Sequence, residues 1–99
     1  MWTKVAALSD VPEGGSFVSE AAGKPIALFK AEGQVYAIDN RCPHRGGPLG
    51  EGFLEGKIIT CPWHAWQFDV SSGICDNIPD MQQVTYPVKI EGEEVLVDV

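Results

Sequence analysis

A central stretch that is dense in glycine and proline is the feature that most constrains how this chain can fold. It runs from Asn40 to about Met81. Proline removes a backbone N–H and glycine weakens regular elements, so long helices and long strands are excluded here. Only KIITC, WQFDV and the residues around Ile74 have the character of strands. A loop-rich region of this length needs something to organise it, and a bound metal is the interpretation that we favour.

The segments on either side of this stretch have the pattern of β-hairpins. KPIALFKAEGQVYAIDN predicts two strands with a turn at Glu32-Gly33, and TYPVKIEGEEVLVDV predicts two more with a turn around Gly92. Two further short runs, WTKVAAL and GSFVSEA, enclose SDVPEGG, which allows a single helical turn or a turn-rich loop. Because no ten-residue segment shows a helical period, we predict an all-β fold.

Size and charge narrow the possible functions. A chain of 99 residues makes one domain, and its 44% apolar content is enough for a small core. The net charge of −7 and the absence of a basic stripe argue against a nucleic-acid binder. The acidity suits a positively charged protein partner, and it equally suits a protein that is acidic only to remain soluble. No run approaches the length of a membrane span, and the first residues do not form a secretory signal. We expect a cytoplasmic protein, where cysteines serve as thiols or metal ligands.

Four residues in the central stretch have the spacing of a metal site. The pattern is Cys42-x-His44, then sixteen residues, then Cys61-x-x-His64, and it uses the only two histidines of the chain. Tetrahedral zinc accepts two cysteines and two histidines, but zinc fingers pair cysteine with cysteine and histidine with histidine along the chain. A [2Fe–2S] cluster with two cysteine and two histidine ligands needs both ligand types in each loop. The mixed halves therefore favour the cluster, with zinc as the alternative.

The motifs CPHRGGPLGEG and TCPWHAWQFDVSSG resemble the two cluster loops of Rieske-type ferredoxins. The nearest resemblance is to the ferredoxin components of multicomponent aromatic-ring dioxygenases, and it covers nearly the whole chain, including the late hairpin. It implies a Rieske-type fold of antiparallel sheets, a sandwich or partial barrel, in a single domain over 1–99. A cluster-binding subdomain of about 41–81 would be inserted into a base formed by about 1–40 and 82–99.

The same resemblance assigns the cofactor and its ligands. It implies one Rieske-type [2Fe–2S] cluster per chain, with Cys42 and Cys61 on the inner iron and His44 and His64 on the outer iron. These four residues are the predicted metal and cofactor ligands, and no catalytic residue is implied. Cys75 lies outside the pattern, and we expect it to be a small buried apolar side chain.

The function that the resemblance implies is one-electron transfer. Electrons would come from a flavin-dependent NAD(P)H reductase and pass to a terminal oxygenase, with the chain as a monomeric carrier that is not itself an enzyme. A complete Rieske oxygenase also needs a mononuclear iron site with two more histidines, and this chain has none left. The alternative is a Rieske-type small subunit of an assimilatory nitrite reductase or of another oxidoreductase complex.

Differences from the high-potential members of the family predict a low reduction potential. Those proteins carry an additional cysteine in each loop, joined by a disulfide, and the matching positions here are Gly47 and Trp63. They also use a serine and a tyrosine hydroxyl near the cluster sulfurs, where this chain has Trp66 and Phe68. With fewer hydrogen-bond donors to sulfur, the potential is expected toward the low end of about −150 to +300 mV.

Overall fold

The structure is a computed structural model that describes residues 1–42, 48–62, 66–76 and 81–99. Within these ranges the chain forms β-strands and two short 3-10 turns, so the predicted all-β class is confirmed. No helix in the described ranges is long and apolar enough to cross a bilayer. The strands are β1 Trp2–Ala7, β2 Ser16–Ala21, β3 Lys24–Ala31, β4 Gln34–Asp39, β5 Phe53–Glu55, β6 Ile58–Thr60, β7 Gln67–Asp69, β8 Thr85–Tyr86, β9 Val88–Glu91 and β10 Glu94–Asp98. The 3-10 turns are Leu8–Asp10 and Leu49–Glu51.

The described strands form three antiparallel sheets. One sheet has the order β1-β10-β9 and joins the two ends of the chain. The second has the order β2-β3-β4-β8. The third has the order β5-β6-β7 and is formed entirely by the glycine- and proline-rich central stretch. Of the two cysteines in the metal-site pattern, Cys61 directly follows β6 of this sheet, and Cys42 precedes β5 along the chain.

The predicted hairpin turns are confirmed, and their backbone angles explain them. Glu32 and Gly33, between β3 and β4, both have positive φ, at 54° and 79°. Two successive left-handed residues make the turn that matches the right-handed twist of a hairpin. Gly92 occupies the same region at 62° between β9 and β10. The 3-10 turn Leu8–Asp10 covers only the first two residues of SDVPEGG, and the rest of that segment is the turn-rich loop that the sequence also allows.

The first half of the late hairpin, TYPVKI, is divided between two sheets, although its sequence predicts one strand. Thr85 and Tyr86 pair with β4, whereas the residues from Val88 onward pair with β10. Pro87 separates the two pieces, because it has no N–H for a sheet hydrogen bond. The chain therefore passes from one sheet to another at this proline. Strand β5, which the sequence did not reveal, is only three residues long.

Strand β3 is buried on both faces and separates two apolar cores. Ile26 and Leu28 belong to a core that includes Val95 and Val97 of β10. The alternate β3 residues Ala27 and Phe29 belong to a second core, which includes Leu49, Ile59, Phe68 and all three cysteines. Burial on both faces explains why β3 has a continuous apolar run instead of alternation. The second core is the one that supports the candidate metal site.

Candidate metal centre

The loop that begins at Cys42 is closed at its base by main-chain and side-chain contacts. Arg41 and Pro48 form an isolated antiparallel bridge across it. The Leu49 N–H donates to the Asn40 main-chain oxygen at 2.8 Å, and the Gly50 N–H donates to the Asn40 side-chain oxygen at 2.7 Å. Gly50 tolerates no side chain here, because a Cβ would lie 2.3 Å from Val18 Cγ2. Cys42 is thus held at the start of a loop with a fixed stem.

The second cysteine lies at the end of the β6–β7 hairpin. Thr60 pairs with Gln67 as the last pair of the two strands. Beyond that pair, the Cys61 N–H donates to the Trp66 carbonyl oxygen at 2.7 Å. This bond closes the connection between the strands at its base. Cys61 is therefore fixed by the same kind of stem as Cys42.

The fold brings Cys42 and Cys61 into one buried cluster, although eighteen residues separate them in the sequence. They are only 3% and 2% exposed. A thiolate sulfur binds soft and iron–sulfur metal centres, and a buried thiolate needs a compensating positive charge. This burial fits a metal–sulfur group but does not separate the two cysteines from Cys75; the Cys-x-His and Cys-x-x-His spacing does. Cys75, at 0% exposure, lies in the same apolar cluster, in agreement with its predicted packing role.

An ion pair stabilises the chain immediately before Cys42. The Asp39 carboxylate accepts from the Arg41 N–H at 2.8 Å, from Nε at 3.2 Å and from a terminal guanidinium nitrogen at 3.0 Å. Burial by itself would raise the pKa of Asp39, but the hydrogen bonds and charge of Arg41 outweigh it, and the pKa is lowered. Arg41 is therefore paired within the chain, with the carboxylate two residues before it.

Two polar side chains that sequence reasoning missed bond to main-chain groups at the base of the first loop. Asn40 accepts hydrogen bonds from the Leu49 and Gly50 N–H groups, as described above. Gln83 is 4% exposed, and its side-chain NH2 donates to the main-chain oxygens of Asp39, at 2.8 Å, and of Arg41. Its side-chain oxygen accepts from the Val84 N–H at 2.8 Å. Asn40 could have been suspected from its place beside the first motif, whereas Gln83 carries no local signal.

The remaining predicted site residues lie outside the described residues. These are the two histidine ligands and the two positions that lack the bridging cysteines: His44, His64, Gly47 and Trp63. The other two residues on which the low-potential prediction depends lie within the described ranges. Phe68 is fully buried in the apolar core that holds the cysteines, and Trp66 packs against that core.

Sequence comparison relates the whole chain to one family. The sequence family of the Rieske [2Fe-2S] domain matches residues 1–90. The ferredoxin component of the naphthalene 1,2-dioxygenase system of Pseudomonas aeruginosa is 44% identical over 98 residues, which cover 98% of this chain and 94% of that protein.

Solved structures show the same fold over nearly the whole chain. The Sphingomonas yanoikuyae B1 ferredoxin has a TM-score of 0.92 and 29% identity, over 100% of this chain and 99% of that one. A chain from the complex of reduced oxygenase and oxidised ferredoxin in carbazole 1,9a-dioxygenase has a TM-score of 0.88 and 32% identity, over 97% and 91%. With two buried cysteines at the bases of two closed loops, this chain belongs to the Rieske [2Fe-2S] domain family.

Proposed function

We propose that this chain is a one-electron carrier, the ferredoxin component of a Rieske dioxygenase system, and that it passes electrons to a terminal oxygenase. The observation that carries the proposal is that Cys42 and Cys61 are buried in one apolar core, in a chain of this family. The relatives support it, because the similar Pseudomonas protein is named a ferredoxin component. A solved complex also joins an oxygenase with a ferredoxin. A carrier needs no substrate pocket of its own.

We assign the [2Fe–2S] cluster to Cys42, His44, Cys61 and His64. When bound, the cluster accepts and releases one electron. Two neutral imidazoles in place of two thiolates make the site less negative, which favours acceptance of the electron. The chain contributes two rigid stems, at Arg41–Pro48 and Cys61–Trp66, that fix the cysteine ends of the two loops.

The subdomain division at about 41–81 is part of the same proposal. The small sheet β5-β6-β7 and both cysteines lie inside that range. The other two sheets use strands from 1–40 and 82–99. The base and the inserted region share the second core through Ala27, Phe29 and Ile38, so the base would act as a platform under the cluster loops.

Iron content and spectroscopy test the ligand assignment. The purified protein is expected to be red-brown, to contain iron and acid-labile sulfide, and to give a rhombic EPR signal after reduction. A colourless protein that contains zinc would instead support the structural zinc alternative. Iron-replete protein without a rhombic signal would refute the histidine-ligated cluster.

Reconstitution tests the partners. The electron donor that we propose is a flavin-dependent NAD(P)H reductase, and the acceptor is a terminal oxygenase of the naphthalene dioxygenase type. The reduced protein, mixed with such an oxygenase, its aromatic substrate and oxygen, should support product formation, and protein without iron should not. Co-purification of one large partner at a fixed ratio would instead favour a permanent subunit, as in a nitrite reductase.

A further inference from the structure

The short segment 81–84, which we call the strap, contacts both halves of the candidate metal centre. On one side it pairs with the chain that follows the second loop: the Cys75 N–H donates to the Met81 oxygen at 2.9 Å, and the Gln83 N–H donates to the Gly73 oxygen at 2.6 Å. That chain is itself bonded to β7, since the Asp76 N–H donates to the Gln67 oxygen at 2.6 Å. The strap is therefore fixed relative to the β6–β7 hairpin.

On its other side the strap reaches the first loop through the side chain of Gln83. The two hydrogens of its amide nitrogen serve the carbonyl oxygens of Asp39 and Arg41. The Arg41 oxygen belongs to the peptide bond that joins Arg41 to Cys42. Because that peptide is planar, a partner that fixes its oxygen also fixes the direction of the Cys42 N–H. Gln83 therefore binds the peptide group that directly precedes the proposed ligand Cys42.

We propose that Gln83 is a positioning residue for the cluster. Its buried amide holds the Arg41–Cys42 peptide against the strap, and the strap is bonded to the hairpin that carries Cys61. Gln83 thereby sets where the first cysteine stands relative to the second. The inference rests on the proposed [2Fe–2S] cluster, and it adds an outer residue that controls the ligand geometry.

The fold has a separate contact that should survive loss of this side chain. The Asp39 N–H donates to the Val84 carbonyl oxygen at 2.9 Å, which joins β4 to the strap through the main chain alone. Replacing Gln83 removes its side-chain bonds to the Asp39 and Arg41 oxygens but keeps the main-chain bond between Asp39 and Val84. A change at Gln83 should therefore affect the cluster more than the base.

The neighbouring Gln82 offers a matched control. Its side chain is of the same type and also makes one bond, from Nε2 to the Ser72 oxygen at 2.9 Å, but it is exposed and does not contact the loop stem. We would compare Gln83→Met, which keeps the length and loses all three bonds, with Gln82→Met. Gln83→Glu is a second, isosteric variant: it keeps the acceptor for Val84 but places an oxygen against the two carbonyl oxygens in place of the donor, which adds repulsion at a buried position.

The holoprotein is measured by its reduced EPR spectrum, its midpoint potential and the rate at which an iron chelator removes the cluster. We expect both Gln83 variants to shift the g-values and the potential, and to lose the cluster about tenfold faster, as is typical when an outer partner of a ligand is removed. Gln82→Met should match the wild type in all three. Failure of a Gln83 variant to retain any cluster, with β-sheet circular dichroism unchanged, would also support the proposal.

Three results would overturn the inference. One is a Gln83 variant with wild-type EPR, potential and chelation rate, even if it unfolds more easily. Another is an equal change in Gln82→Met. The third is loss of the β-sheet signal in both Gln83 variants, which would make Gln83 a general fold residue. Failure of the proposed function is distinguishable, because it would appear as the absence of a rhombic signal in the iron-replete wild type.

Discussion

Gly52 lies directly against the carbonyl oxygen of Thr60, and a Cβ at Gly52 would be 1.9 Å from that oxygen. Gly52 follows the first cluster loop, and Thr60 precedes Cys61. The close approach therefore joins the chain after one half of the centre to the chain before the other. Only a residue without a side chain permits it.

Gly52→Ala should consequently be strongly destabilising. The overlap is with backbone, which cannot rotate away, and we expect a loss of at least about 3 kcal/mol in the free energy of unfolding. Gly56→Ala is the control: Gly56 has a left-handed φ of 60° but open space around it, so a loss of only about 1 kcal/mol is expected. Urea unfolding of both variants measures the difference, and equal losses would contradict the close contact.

The three buried cysteines should behave differently when replaced. Cys42→Ser and Cys61→Ser should each abolish the rhombic EPR signal, since each removes a proposed thiolate ligand. Cys75→Ala should keep the full iron and sulfide content and lose only about 1 kcal/mol of stability through a small cavity. Iron analysis and EPR of the three variants check this. A cluster lost from Cys75→Ala with its fold intact would give Cys75 a role beyond packing.

The reduction potential should lie toward the low end of the Rieske range, about −150 to +300 mV. Phe68→Tyr should raise it, because a phenol at this position could donate a hydrogen bond to cluster sulfur and so stabilise the reduced state. Phe29→Tyr is the control, since Phe29 is equally buried in the same core but lies on β3. Voltammetry of the three proteins decides. A wild-type midpoint well above zero would refute the low-potential assignment.

The Asp39–Arg41 pair predicts a particular loss of stability in acid. The folded pKa of Asp39 is lowered, so its stabilising effect is complete above its unfolded value of about 3.9 and disappears as the pH falls through the folded value. Asp39→Asn should therefore cost about 1.5–3 kcal/mol at pH 7, and the gap from wild type should shrink below about pH 4. Unfolding free energies across this range measure the gap.

Glu55→Gln provides the comparison for this acid effect, because Glu55 is an exposed carboxylate on β5. Its unfolding free energy should stay close to that of the wild type at every pH. A gap between wild type and Asp39→Asn that is the same at pH 7 and pH 3 would show that the pair does not stabilise the stem through its charge.

Local chemistry explains what could be predicted from the sequence. The hairpin turns follow from residues that accept positive φ, such as Gly33 and Gly92, and the all-β class follows from the absence of a helical period. The ligand pattern is also a matter of residue type and spacing. The structure places Cys42 and Cys61 in one buried apolar group, and the ligand roles of all four residues stay predictions, with His44 and His64 outside the described residues.

Only the tertiary structure could show how the two halves of the centre are held. Gln83 reaches carbonyl oxygens 44 and 42 residues away, and such contacts leave no periodic pattern in the chain. The division of the late segment at Pro87 depends on which sheet has an open edge for each piece. The candidate ligands follow from residue types and their spacing, which a sequence displays directly. Their support depends on long-range packing and main-chain hydrogen bonds, which only the folded chain brings together.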